Sequence, residues 1–61
     1  MKLHSIPENS KIKCEVNDGS KFVTFFHIDG MYSYCETEKG GVIHLSASTP
    51  IKKVQDYYEI I

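Results

Sequence analysis

The run Asp18-Gly19-Ser20-Lys21-Phe22-Val23-Thr24-Phe25-Phe26-His27-Ile28-Asp29-Gly30 has an Asp-Gly pair at each end, with aromatic and β-branched residues between. Asp-Gly is a strong hairpin signal because both central residues of a type I′ turn need positive φ. The run therefore reads as one strand held between two tight turns. A third signal, Lys39-Gly40, lies a similar distance further on, and Gly41 behind it allows a three-residue loop instead.

Two-residue turns at all three places set a register. Cys14 then faces Val23, Ile12 faces Phe25, Phe25 faces Tyr34, and Tyr34 faces Leu45. Side chains alternate along a strand, so the sheet acquires two faces. The first carries Ile12, Cys14, Val16, Val23, Phe25, Tyr32, Tyr34, Ile43, Leu45 and Ala47, with His27 and Glu36 at its margins. It is nearly all apolar, as a core face must be. The second carries Ser33, Cys35, His44 and lysines, together with Phe22, Phe26 and Met31. Three large apolar groups on a face that water should meet mark an interaction site, unless Leu3 and Ile6 or another subunit cover them.

Residues 48–61 admit two readings. Thr49 as cap and Pro50 at the first helical position, with Ile51, Val54, Tyr58 and Ile61 at helical spacing, describe a short helix. Lysines in its first turn and acids toward its end oppose the helix dipole. A turn over 49–53 and a strand over 55–61 suits Tyr57, Tyr58, Ile60 and Ile61 better.

The expected fold is thus a mostly β, small antiparallel meander of four to five strands in a single domain, 1–61. Short strands, glycine-marked turns and a proline before the last strand resemble SH3-like small β-barrels, although the acidic loop and tryptophan of true SH3 domains are missing. The segments His27-Ile28-Asp29-Gly30-Met31-Tyr32-Ser33-Tyr34-Cys35 and Val42-Ile43-His44-Leu45 are similar to a pattern in short bacteriophage-encoded proteins. That resemblance implies an accessory role in infection, often inhibition of a host factor or defence system, and brings no catalytic residues.

Composition narrows the function classes. The chain has 61 residues, 41% hydrophobic and 25% charged, too apolar for intrinsic disorder. At this size stability is marginal, and oligomerisation is one common remedy. A net charge of −1 lacks the basic field of a nucleic-acid binder. Phe22, Phe26, Tyr57 and Tyr58 beside Lys13, Lys21, Lys52 and Lys53 leave a weak single-strand binder as the third choice. No apolar run suits a signal peptide or membrane span, so reduced cysteines and a cytoplasmic location are expected.

In this register Cys35 and His44 face each other, the beginning of a nucleophilic pair, but a small sheet offers neither oxyanion donors nor a deep pocket. Cys14 and Cys35 fall on opposite faces, which argues against a disulfide or a shared metal. No catalytic residue, metal or cofactor is therefore assigned. The sequence points to a non-enzymatic protein-binding module, with Phe22, Phe26, Met31, His44, Tyr57 and Tyr58 as candidate contact residues. A homo-oligomer that traps a small nucleotide-like ligand is the alternative.

Overall fold

Phe25 and Ile28 both belong in an apolar core, yet they lie three residues apart. Strict alternation would bury one and expose the other. The computed structural model, which describes residues 1–61, resolves the conflict with a β-bulge. Strand β2 (Phe22–Asp29) pairs antiparallel with β3 (Tyr32–Thr37), and the register shifts between Phe25 and His27. Phe25 is opposite Cys35, while His27 is opposite Tyr34. Phe25 is buried and Ile28 packs against the core, so Phe26 and His27 share the outward side between them.

Four further strands complete one sheet: β1 (Lys11–Lys13), β4 (Val42–Ile43), β5 (Ile51–Val54) and β6 (Tyr57–Ile60). Their order is β4-β3-β2-β1-β6-β5, and β1 runs parallel to β6. The expected antiparallel meander of four to five strands is therefore corrected to a six-stranded mixed sheet, which is open. No helix is long and apolar enough to cross a membrane.

All three turns depart from the expected geometry. The first closes with the Val16 N–H on the Ser20 carbonyl and Gly19, at φ 92, donating its N–H to the Val16 carbonyl, and the chain before it takes up one more residue by the point where the Cys14 N–H meets the Lys21 carbonyl. Ile12 consequently faces Val23 rather than Phe25. That slip is an even step, so it leaves the inner face unchanged. The second turn is Gly30-Met31, not Asp29-Gly30, because Asp29 pairs with Tyr32. A glycine with φ 66 at the first central position suits a type II′ turn. The third is the three-residue loop that Gly41 allowed, with Gly40 at φ 86 and Cys35 opposite Ile43.

The bulge and the third loop are both odd steps, and they cancel beyond β3. Ile43 and Leu45 pack against the core as expected. The end of β2 beyond the bulge and all of β3 are inverted: Ser33, Cys35 and Thr37 are buried, whereas Tyr34 is half-buried and both His27 and Tyr32 are exposed. The pairings of Phe25 with Tyr34 and of Tyr34 with Leu45 are thereby overturned. The buried hydroxyl of Ser33 is accommodated locally. It donates to the Leu45 carbonyl at 2.9 Å and accepts the Leu45 N–H at 3.1 Å.

The core is completed from outside the meander. Leu3, in a 3-10 turn over Leu3–Ser5, joins Ile6, Ile51 and Tyr58 around Ile12, Val23, Phe25 and Cys35. The N-terminal segment is tied along residues 47–51. Leu3 N–H donates to Thr49, His4 N–H to Ala47, and Ile51 N–H to Met1. Residues 51–60 form a hairpin of two strands turning at Gln55-Asp56. The helix reading is excluded, and the strand reading holds for Tyr57–Ile60, although Ile51–Val54 is a strand and not a turn.

Candidate functional site: an aromatic row on the outer face

The bulge builds the centre of the row. Two residues of β2, Phe26 and His27, meet one residue of β3, Tyr34. The His27 and Tyr34 rings stack with centroids 5.4 Å apart and planes within 6°. Phe26 leans on the same tyrosine at 5.9 Å, and His44 meets its edge at 6.0 Å. His44 Nδ1 lies 2.9 Å from the Ser33 carbonyl. A carbonyl only accepts, so Nδ1 is the donor in this contact.

Further along β2, Phe22 also points outward and meets Tyr57 of β6 edge to face, with centroids 5.4 Å apart. These two rings, with Lys11, Glu38 and Asp56, line an open cleft of about 260 Å³. One Glu38 oxygen accepts the backbone N–H groups of Lys21 and Phe22, which fixes that carboxylate at the cleft wall. Beside the cleft, Glu59 lies 3.9 Å from both Lys13 and Lys52. Exposed ion pairs at such separations contribute little stability.

Of the six candidate contact residues, Phe22, Phe26, His44 and Tyr57 lie on the outer face, in two groups. Met31 stands apart at the β2–β3 turn and is 80% exposed. Tyr58 is corrected: it points inward and is buried, with only Lys53 lying over its ring at 5.2 Å. His27 and Tyr34 were missed, because unbroken alternation puts both on the core side. The spacing of Phe25 and Ile28 was the available signal for the bulge.

The bulge also separates Cys35 from His44. Cys35 is fully buried on the inner face, while His44 is exposed on the outer one, so they form no nucleophilic pair. Cys14 packs against the core on the same side as Cys35, correcting the placement on opposite faces; both thiols are free. Burial pushes both thiols above their ordinary range. For Cys35 the neighbouring Cys14 adds to the rise, and the Ser33 hydroxyl opposes it. No three His, Cys, Asp or Glu side chains gather as a metal site would require.

A polar lock holds the two hairpin tips at the other end of the sheet. The Thr37 hydroxyl donates to Asp18 at 2.8 Å and accepts the Gly41 N–H at 2.9 Å. Asp18 also accepts the Ser20 N–H at 2.8 Å, and Lys39 reaches its backbone carbonyl. These bonds, the Ser20 N–H first and the Thr37 hydroxyl next, hold the Asp18 carboxyl below its ordinary pKa.

Comparison with family models, curated proteins and solved structures finds no match.

Proposed function

We propose that this chain is a non-enzymatic protein-binding module and that its outer aromatic row is the docking surface. The observation that carries the reading is the bulge-built group of Phe26, His27, Tyr34 and His44, which stands outside the core. The N-terminal segment, the obvious internal cover, sends Leu3 and Ile6 into the core on the inner side instead. Aromatic side chains lose little entropy on docking and supply much of the energy of protein interfaces. In the phage-type form of this reading the partner is a host factor or defence protein met in the host cytoplasm. An SH3-like relation belongs to the same proposal at the level of architecture. What supports it is a set of short strands whose chain passes from one sheet edge, β4, to the other, β5, through residues 44–50.

The cleft beside Phe22 and Tyr57 favours a second reading, a small ring-bearing ligand such as a nucleotide held at a subunit interface. Two aromatic walls with one lysine and two carboxylates could grip such a molecule. Native mass spectrometry of protein recovered from cells separates the two. The first reading predicts a stoichiometric protein partner that Phe26→Ser removes. A retained small molecule that survives Phe26→Ser and is lost with Tyr57→Ser supports the second.

A further inference from the structure

The two edges of the sheet are finished differently. Edge strand β5 carries Lys52 and Lys53, follows Pro50, and bonds the N-terminal residue through Ile51. Charges, proline and covering chain are the usual ways of blunting an edge against foreign strands. The β4 edge has none of them: from Gly40 to Ile51 the sequence has no Lys, Arg, Asp or Glu until β5 itself is reached, and the only proline, Pro50, lies at its far end.

The hydrogen bonds fix which groups this edge presents. Thr37 N–H donates to the Gly41 carbonyl, Ser33 N–H to Leu45, and Ala47 N–H to the Met31 carbonyl. Residues 41, 45 and 47 thus turn their backbone groups toward β3, as does Ile43 opposite Cys35. Val42 and His44, in between, aim theirs away from the sheet. No turn, loop or side-chain hydrogen bond of the chain reaches these N–H and C=O groups. Both residues are exposed, Val42 by 46%. The next outward carbonyl, Ser46, is already used by the N–H and hydroxyl of Thr49. The free edge is therefore one short, uncharged ladder segment centred on Ile43.

We infer that a second copy of this chain pairs with this segment, β4 against β4 and antiparallel about a two-fold axis at Ile43. Val42 then faces His44 of the other copy, and each such pair exchanges both backbone bonds, so every free group on the edge is satisfied. The short segment suits this occupant. A longer foreign strand finds no ladder beyond it, whereas a two-fold copy needs only the same two residues again. The segment itself carries no Lys, Arg, Asp or Glu, and the nearest carboxylate, Glu36, lies one strand back opposite Val42. His44 lies against Tyr34 on the outer face, and Val42 lies opposite Glu36, so the two aromatic rows come together across the axis. This goes beyond the docking proposal and stands or falls separately from it.

Sedimentation equilibrium of the purified chain from micromolar to millimolar concentration is the test. The expected result is reversible association to twice the 7.0 kDa chain mass. Val42→Lys and His44→Pro should each raise the dissociation constant by about tenfold or more, since an edge lysine or a missing edge donor opposes pairing. Circular dichroism checks that both variants remain folded. If either fails to fold, hydrogen exchange on the unaltered chain decides: the Val42 and His44 amides should gain protection as concentration rises. A single 7.0 kDa species at millimolar concentration overturns the inference. So does a dimer indifferent to both variants, or edge amides whose protection ignores concentration.

Discussion

Thr37 shows how one hydroxyl can join two hairpins. It is buried, it accepts the N–H of Gly41, and it donates to Asp18 on the neighbouring loop. Thr37→Val keeps the shape and strands these partners, so unfolding in urea should show a loss of about 1–3 kcal/mol. Asp18 adds a pH dependence to the same lock. Its folded pKa is depressed, so its contribution is complete above the ordinary value of 3.8 and is lost as pH falls through the lower folded value. Denaturant midpoints measured from pH 6 to pH 2 should fall more steeply for the native chain than for Asp18→Asn. Gln55 offers the opposite case, a non-glycine residue at φ 53 in the β5–β6 turn. Gln55→Gly relieves a left-handed penalty of about 1–2 kcal/mol but adds chain entropy when unfolded. The expected net is a rise in stability of up to about 1 kcal/mol, read as a higher denaturant midpoint.

At the level of elements, one inserted residue decides which side chains the sheet shows to water. Deleting His27 leaves Phe25, Phe26 and Ile28 in plain alternation: in, out, in. The core should survive with stability changed by no more than about 1 kcal/mol, while the stacked ring on Tyr34 disappears. NMR contacts between Phe25 and Cys35 and between Ile28 and Ser33 would confirm the regular pairing; a chain that unfolds would show that the bulge itself is needed. The same element explains what could be read from the sequence. Asp18-Gly19, Gly30 and Lys39-Gly40 announced the hairpins, and the apolar residues of β1, β4 and the first part of β2 declared the inner face. Turn residues do not state loop length, however, and Gly30 serves the Gly30-Met31 turn while also following Asp29. A bulge has no composition signal beyond the odd spacing of Phe25 and Ile28, so Tyr32 and Tyr34 read as core. Leu3 and Ile6 filled that space instead, through backbone bonds to residues 47 and 49 that no local pattern reveals. Phe22 and Phe26 still lie on the outer face because the bulge comes only after Phe26, and His44 does because the two odd steps cancel beyond β3.

On the scale of the whole molecule, a 61-residue chain has spent its interior on one small core and has left its larger aromatic group outside. Cys35 belongs to that interior and Cys14 packs half-buried against it, so iodoacetamide should modify Cys35 far more slowly than a free thiol at neutral pH and modify both once the chain is unfolded. Rapid alkylation of Cys35 in the folded chain would mean that the core opens readily. The outer group carries the functional claim, and Phe26 separates docking from packing because it touches Tyr34 yet is only half-buried. The direct measurement takes Phe26→Ser through denaturant unfolding and partner recovery in the same preparation. The account predicts a stability loss of about 1 kcal/mol, the worth of an aromatic pair, with partner binding weakened by about 2 kcal/mol or more. A loss of about 3–5 kcal/mol in stability, the cost of emptying a core position, or a partner bound as tightly as before, would contradict it.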